Sequence, residues 1–226
     1  MTVDVRADNG VAVLAALFAM LLMTAIGAAL VLTTSSETII AANFRASTEA
    51  FYAADAAVER AMVELNGIAD WNAVLTGSRR SVFVDGPPGG VRTMADGSTI
   101  VLATMVNEAN CGRASACTAA EMDAVTAERP WGVNNPRWQL FAYGPLAQSP
   151  SSETTGSACY VVVLVADDPA ENDGNPLQDG VETSNPGSGV MALRVEARGP
   201  RGARKALEAT VARAAAPRLL AWRELR

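Results

Sequence analysis

The sequence predicts an α+β protein in which one long N-terminal helix packs on the face of an antiparallel β-sheet head. Three observations carry that prediction. Residues 11–33 are apolar and hold no charge, the helix-compatible pattern runs on to about Leu65 with no proline, and residues beyond 97 contain a series of β-branched apolar runs.

The run from Val11 to Thr33 is 23 residues long. At about 1.5 Å of rise per residue it is long enough to cross a bilayer as a helix. A cleaved secretory signal has a shorter apolar core, a basic flank and a change of pattern after the cleavage site. Here the flank "MTVDVRADNG" holds one Arg against two Asp, and polar residues enter after Thr33 with no breaker. Phe51, Ala54, Val58, Met62 and Leu65 then recur at spacings of three and four, with Glu49, Asp55, Glu59, Arg60 and Glu64 mostly on the other faces. That pattern is an amphipathic helix with one apolar stripe. The reading is one helix over residues 11–66, membrane-type through 33 and head-packing beyond it. "NGIAD" ends it.

Residues 67–226 are of ordinary size for one globular domain. The stretch 67–96 is rich in Gly, Asp, Arg and Pro and reads as loop, with a short strand at "SVFV" (81–84). Strands are expected at 98–106, 137–144, 158–167, 190–199 and 204–214, where β-branched and apolar residues concentrate. "GPRG" at 199–202 suits a tight connection and predicts an antiparallel hairpin between the last two. The run 204–214 has a composition that also suits helix, and its hairpin spacing favours strand.

Composition excludes whole classes of chemistry. Histidine is absent and Lys205 is the one lysine, which removes Ser-His-Asp and Cys-His catalysis and the commonest zinc sites. No paired-acid motif stands out, so the chain is not read as an enzyme. A net charge of −6 argues against nucleic-acid binding by the whole chain. From Arg194 onward nine Arg or Lys face three Asp or Glu, a basic end read first as solvated strand faces and second as a contact for an acidic partner.

Three cysteines, Cys111, Cys117 and Cys159, leave one over from any single pairing. The short loop "GRASA" suits a Cys111–Cys117 bridge, with Cys117–Cys159 the next choice. In "DDPAENDGNPLQDG" the side chains of Asp167, Asp168, Glu171, Asp173, Asn175 and Asp179 put hard oxygen donors in one loop. Calcium takes such ligands, although the EF-hand spacing is not met; the alternative is a solvated acidic loop. Trp131, Trp138, Phe141 and Tyr143 cluster in "RPWGVNNPRWQLFAYG" and read as core, with an adhesive surface as the alternative.

The first 65 residues resemble the N-terminus of PilX-type minor pilins of type IV pili. Gly10 precedes the apolar run, Thr24 and Gly27 lie within it, and Thr33, Thr34 and Ser35 lead into "AANFR" and "AFYAADAAVE". The closing "LLAWRELR" has the same flavour. The resemblance implies a type IV pilin-like fold and a leader at 1–10. It also implies cleavage after Gly10 by a prepilin peptidase and N-methylation of Val11, followed by passage from a single-pass inner-membrane form into a fibre. The implied partners are other minor pilins, the major pilin, a PilY-type tip adhesin and the inner-membrane assembly platform; the implied processes are adhesion and motility. Ala15, fifth in the mature chain, stands where most pilins carry glutamate, which points to the pilus tip. Two alternatives stay open from sequence: a type II secretion pseudopilin of the GspK type, and a membrane-anchored periplasmic binding domain.

Overall fold

A computed structural model describes residues 8–148, 157–180, 187–214 and 218–225. Helix α1 (Asp8–Asn66) is continuous and begins three residues before the expected start at Val11. The chain divides into two compact units between Arg45 and Ala46.

In the first unit, α1 is apolar all round from Val11 to Thr33. Val11, Leu14, Phe18, Leu21, Leu22 and Ile26 are all exposed, and this is the one helix among the described residues long and apolar enough to cross a membrane. The polar residues that follow do not break it, because their hydroxyls are satisfied within the helix. Thr33 donates to the Ala29 carbonyl at 2.9 Å, Thr34 to Leu30 at 2.9 Å, Ser36 to Leu32 at 3.0 Å and Thr38 to Thr34 at 2.8 Å. Back-bonding of this kind lets hydroxyl residues sit in a helix with no external partner.

In the second unit, α1 buries the stripe Ala50, Ala53, Ala54, Ala57, Val58, Ala61, Met62 and Leu65, with Phe51 half-buried at its margin. The alanines let the helix lie close to the sheet. Beyond Asn66 the chain turns through Ile68, whose N–H donates to the Leu65 carbonyl at 3.0 Å, and Trp71, whose Nε1 donates to the same carbonyl at 3.0 Å. A short helix α2 (Asn72–Leu75) follows, then a two-stranded hairpin β1 (Val91–Thr93) and β2 (Thr99–Val101), helix α3 (Leu102–Cys111) and helix α4 (Ala119–Asp123).

The sheet is an antiparallel meander of β3 (Gln139–Pro145), β4 (Tyr160–Asp167), β5 (Val190–Arg198), β6 (Arg204–Ala212) and β7 (Arg218–Leu225) in chain order. Its register places Val163 opposite Val195, Val195 opposite Leu207, and Ala209 opposite Trp222. Period-2 alternation then sorts the two faces. Val161, Val163 and Val165 of β4, with Met191, Leu193 and Val195 of β5, join the α1 stripe in one core. Val162, Leu164 and Ala166 face a second core built with Ile100, Leu102, Met105 and Ala109. β4 is therefore buried on both faces, which explains its unbroken apolar run. A bulge between Leu140 and Ala142 puts both Phe141 and Ala142 on the α1 side while Leu140 and Tyr143 face α3.

The structure corrects four sequence expectations. The strand expected over 98–106 survives only as Thr99–Val101, and Leu102 onward is helical. Leu102, Met105 and Ala109 meet the second core at spacings of three and four, and Gly112 at φ 68° ends the helix; that period wins over β-propensity. "SVFV" lies beside β3 but forms a single parallel bridge, Val84 to Tyr143. The Glu64 carboxylate takes the Val82 N–H at 2.8 Å and the Ser81 hydroxyl at 2.5 Å, so the segment is tied to α1 instead of extending the sheet. The loop expected over 67–96 contains α2 and β1. Finally, residues 218–225, beyond the last expected strand, form β7 at the sheet edge.

The expected hairpin is β5–β6, turning through Pro200–Gly202 with Arg201 at φ 62°. The Gly199 N–H donates to the Ala203 carbonyl at 2.8 Å across it.

Candidate functional sites

Gly10, Val11 and Ala15 all lie within α1 and are exposed. A Cβ added at Gly10 would meet, among the described residues and outside its own turn of helix, no atom within 4 Å.

The head packs on α1 through the predicted stripe. Ala54, Val58, Met62 and Leu65 are buried against sheet residues, and the half-buried Phe51 ring lies 6.1 Å from the Trp222 ring on β7. Trp222 remains about half exposed, as do Leu219 and Leu220, so β7 is an edge strand with an incompletely covered apolar surface. Of the aromatic cluster, Trp138, Phe141 and Tyr143 are core, and Trp131 alone is on the surface.

The basic C-terminal end is laced by ion pairs along the sheet. Glu196, nearly buried, receives Arg198 at 2.6 Å and Arg204 at 2.7 Å; Lys205 meets Glu224 at 2.5 Å, and Arg223 Nε meets Glu208 at 2.8 Å. These pairs join β5, β6 and β7 side to side.

Cys111 and Cys117 form a disulfide with Cα atoms 6.4 Å apart, and Cys159 is buried with a free thiol. The bridged loop is braced by Asn107 Nδ2 donating to the Ala114 carbonyl at 2.9 Å. It leads into α4, where Thr118 and Glu121 cap each other reciprocally. The Thr118 N–H and the Arg113 guanidinium hold the Glu121 carboxyl down at about 2.

Of the six candidate metal ligands, the fold gathers three. Asp167, Glu171 and Asp179 each bring one carboxylate oxygen to within 4.8 Å of the others. Asp168 and Asp173 instead accept local backbone N–H groups, from Ala170 at 3.2 Å and Asn175 at 2.7 Å. Asp167 ends β4 on the α1 side of the sheet, 4% exposed, and Glu171 is 1% exposed. Burial first, then the neighbouring Glu171, pushes the Asp167 carboxyl up to about 8, and burial raises Glu171 as well. Asp179 is held by the Gly189 N–H at 2.6 Å and by Arg213 at 3.4 Å, while its own N–H donates to Asn72 Oδ1 at 2.8 Å.

Sequence reasoning missed the supports of this pocket. Any side chain at Gly180 would overlap the Glu171 carboxylate, and one at Gly187 would overlap the Glu171 backbone. The glycines in "QDG" and "PGSG" were the available signal. Asn110 was missed too: its amide donates to the Trp138 carbonyl at 3.0 Å and accepts the Trp138 N–H at 2.8 Å, locking α3 onto the start of β3.

No protein-family profile, no curated protein and no solved structure matches this chain. The functional reading therefore stands on the residues and the fold.

Proposed function

We propose that this chain is a minor pilin of the PilX type, made as a single-pass inner-membrane protein and assembled at the tip of a type IV pilus. The observation that carries the reading is α1 itself: one uninterrupted helix, uncharged from Val11 to Thr33, whose later turns from Ala46 bury a stripe on an antiparallel sheet. An apolar helix of this kind serves two environments in turn, the bilayer before assembly and the packed centre of a fibre after it.

The processing residues are Gly10, for peptidase recognition, and Val11, as the methylated N-terminus. Ala15 sets the place in the fibre. A pilin glutamate at this position is thought to neutralise the N-terminal amine of the subunit above, since an unpaired ion in hydrocarbon costs several kcal/mol or more. A subunit with Ala15 offers no such acid and is penalised everywhere except at the top, where no amine waits to be paired. The partners in this reading are other minor pilins, the major pilin, a PilY-type adhesin, the prepilin peptidase and the assembly platform. The protein acts by packing and presentation, with no reaction of its own.

Mass spectrometry of the mature chain tests the processing step: the expected N-terminus is methylated Val11. Gly10→Phe is expected to leave full-length protein in the inner membrane and none in sheared fibres. Uncleaved Gly10→Phe protein in fibres would overturn the reading. Immunogold labelling is expected only at fibre ends, and labelling along the shafts would remove the tip placement.

A further inference from the structure

Asp167 is the anomaly of the head. It is 4% exposed at the end of a strand buried on both faces, and its Oδ1 has no hydrogen-bond partner and no contact with solvent. A buried carboxylate oxygen left unmatched is costly, and such groups in folded proteins are paired or bind a cation. The Asp167 carboxylate takes one backbone N–H, that of Asp168. Around it stand more acids: Glu171, 1% exposed, and Asp179, half-buried. Among the described residues Arg213 pairs with Asp179, from an exposed position where the guanidinium also stacks 4.4 Å from the Trp71 ring.

We propose that Asp167, Glu171 and Asp179 bind one calcium ion. The donor set is all oxygen, which hard cations take, and the chain has no histidine to recruit zinc. The three carboxylate oxygens lie within 4.8 Å of one another, close enough to share a calcium ion at about 2.3–2.6 Å from each. Calcium's larger shell also takes backbone carbonyls and water, which suits a site with three side-chain ligands in a loop. The ion would tie the loop of residues 168–180 to the end of β4, and through Asp179 and Asn72 to α2. The loop closes over the site because Gly180 and Gly187 have no side chains to strike Glu171. This assignment rests on head residues alone and is independent of the pilin reading.

The test uses the full chain in detergent, stripped with chelator and titrated with calcium chloride by calorimetry and thermal melting. One site per chain is expected, with a Kd on the order of 10⁻⁴–10⁻³ M, the range of extracellular calcium modules. At 100 times the Kd the melting temperature is expected to rise by about 5–10 °C. Asp167→Asn keeps the shape and removes the charge, so it is expected to abolish both responses while melting in chelator no lower than the parent. Asp179→Asn, whose side chain is 10% exposed, is expected to weaken binding about tenfold or more, and Asp173→Asn to leave it unchanged. Absence of heat and of a melting shift in the parent at about 10 mM calcium would overturn the proposal. So would full binding by Asp167→Asn and Asp179→Asn, or an equal response to magnesium.

Discussion

Leu65→Ala measures how firmly the head is seated on its helix. Leu65 is 1% exposed in the core shared by α1 and the sheet, one residue before the end of the helix and beside the Trp71 turn. Truncation removes three buried carbons and leaves a cavity that a β-sheet backed by a second layer cannot easily close. Leu→Ala changes at such sites cost about 2–5 kcal/mol. For a head of this size each kcal/mol lowers the melting temperature by about 2–4 °C, so a mid-range loss of about 3 kcal/mol predicts a fall of about 6–12 °C. The paired control is Val63→Ala, two residues away and 69% exposed, where the change is expected to stay within about 0.5 kcal/mol. Both variants are made in the full chain, purified in detergent and followed by near-ultraviolet circular dichroism on heating and in urea. Equal effects at Leu65 and Val63, or a Leu65→Ala loss under about 1 kcal/mol, would refute the assignment of the stripe as the seat of the head.

Other predictions follow from single side chains. Asn110→Ala strips the paired donor and acceptor from Trp138, leaving a backbone N–H and a carbonyl buried without partners; a loss of about 2–4 kcal/mol is expected in urea unfolding. Tyr160 is buried and donates its hydroxyl to Asp85 Oδ2 at 3.2 Å, and burial together with the Asp85 charge pushes its phenol above the ordinary value of 10.0. The ionised form is thus disfavoured in the folded head, so stability is fully present below pH 10 and falls as pH rises beyond it. The tyrosinate absorbance that Tyr160→Phe removes should appear only as the fold opens; its appearance in an intact fold would contradict this.

Local signals determined the long helix and most of the main strands. An uncharged run of bilayer length, followed by apolar residues at spacings of three and four with no proline, reads as a helix, and β-branched runs flanking a Gly-Pro turn favour a hairpin even though the run 204–214 also suits helix. These patterns lie in neighbouring residues, so the sequence shows them directly. The site and the second layer were decided by tertiary contacts. The run read as strand over 98–106 turns helical at Leu102 because Leu102, Met105 and Ala109 have a sheet face to cover. Residues 218–225 become strand because β6 offers a free edge. The loop 167–179 holds six oxygen-bearing candidates, and which three converge depends on where β4 ends, on glycines at 180 and 187, and on an asparagine and an arginine far away in sequence, Asn72 and Arg213. Composition counts donors, but only the packed backbone sets the distances between them.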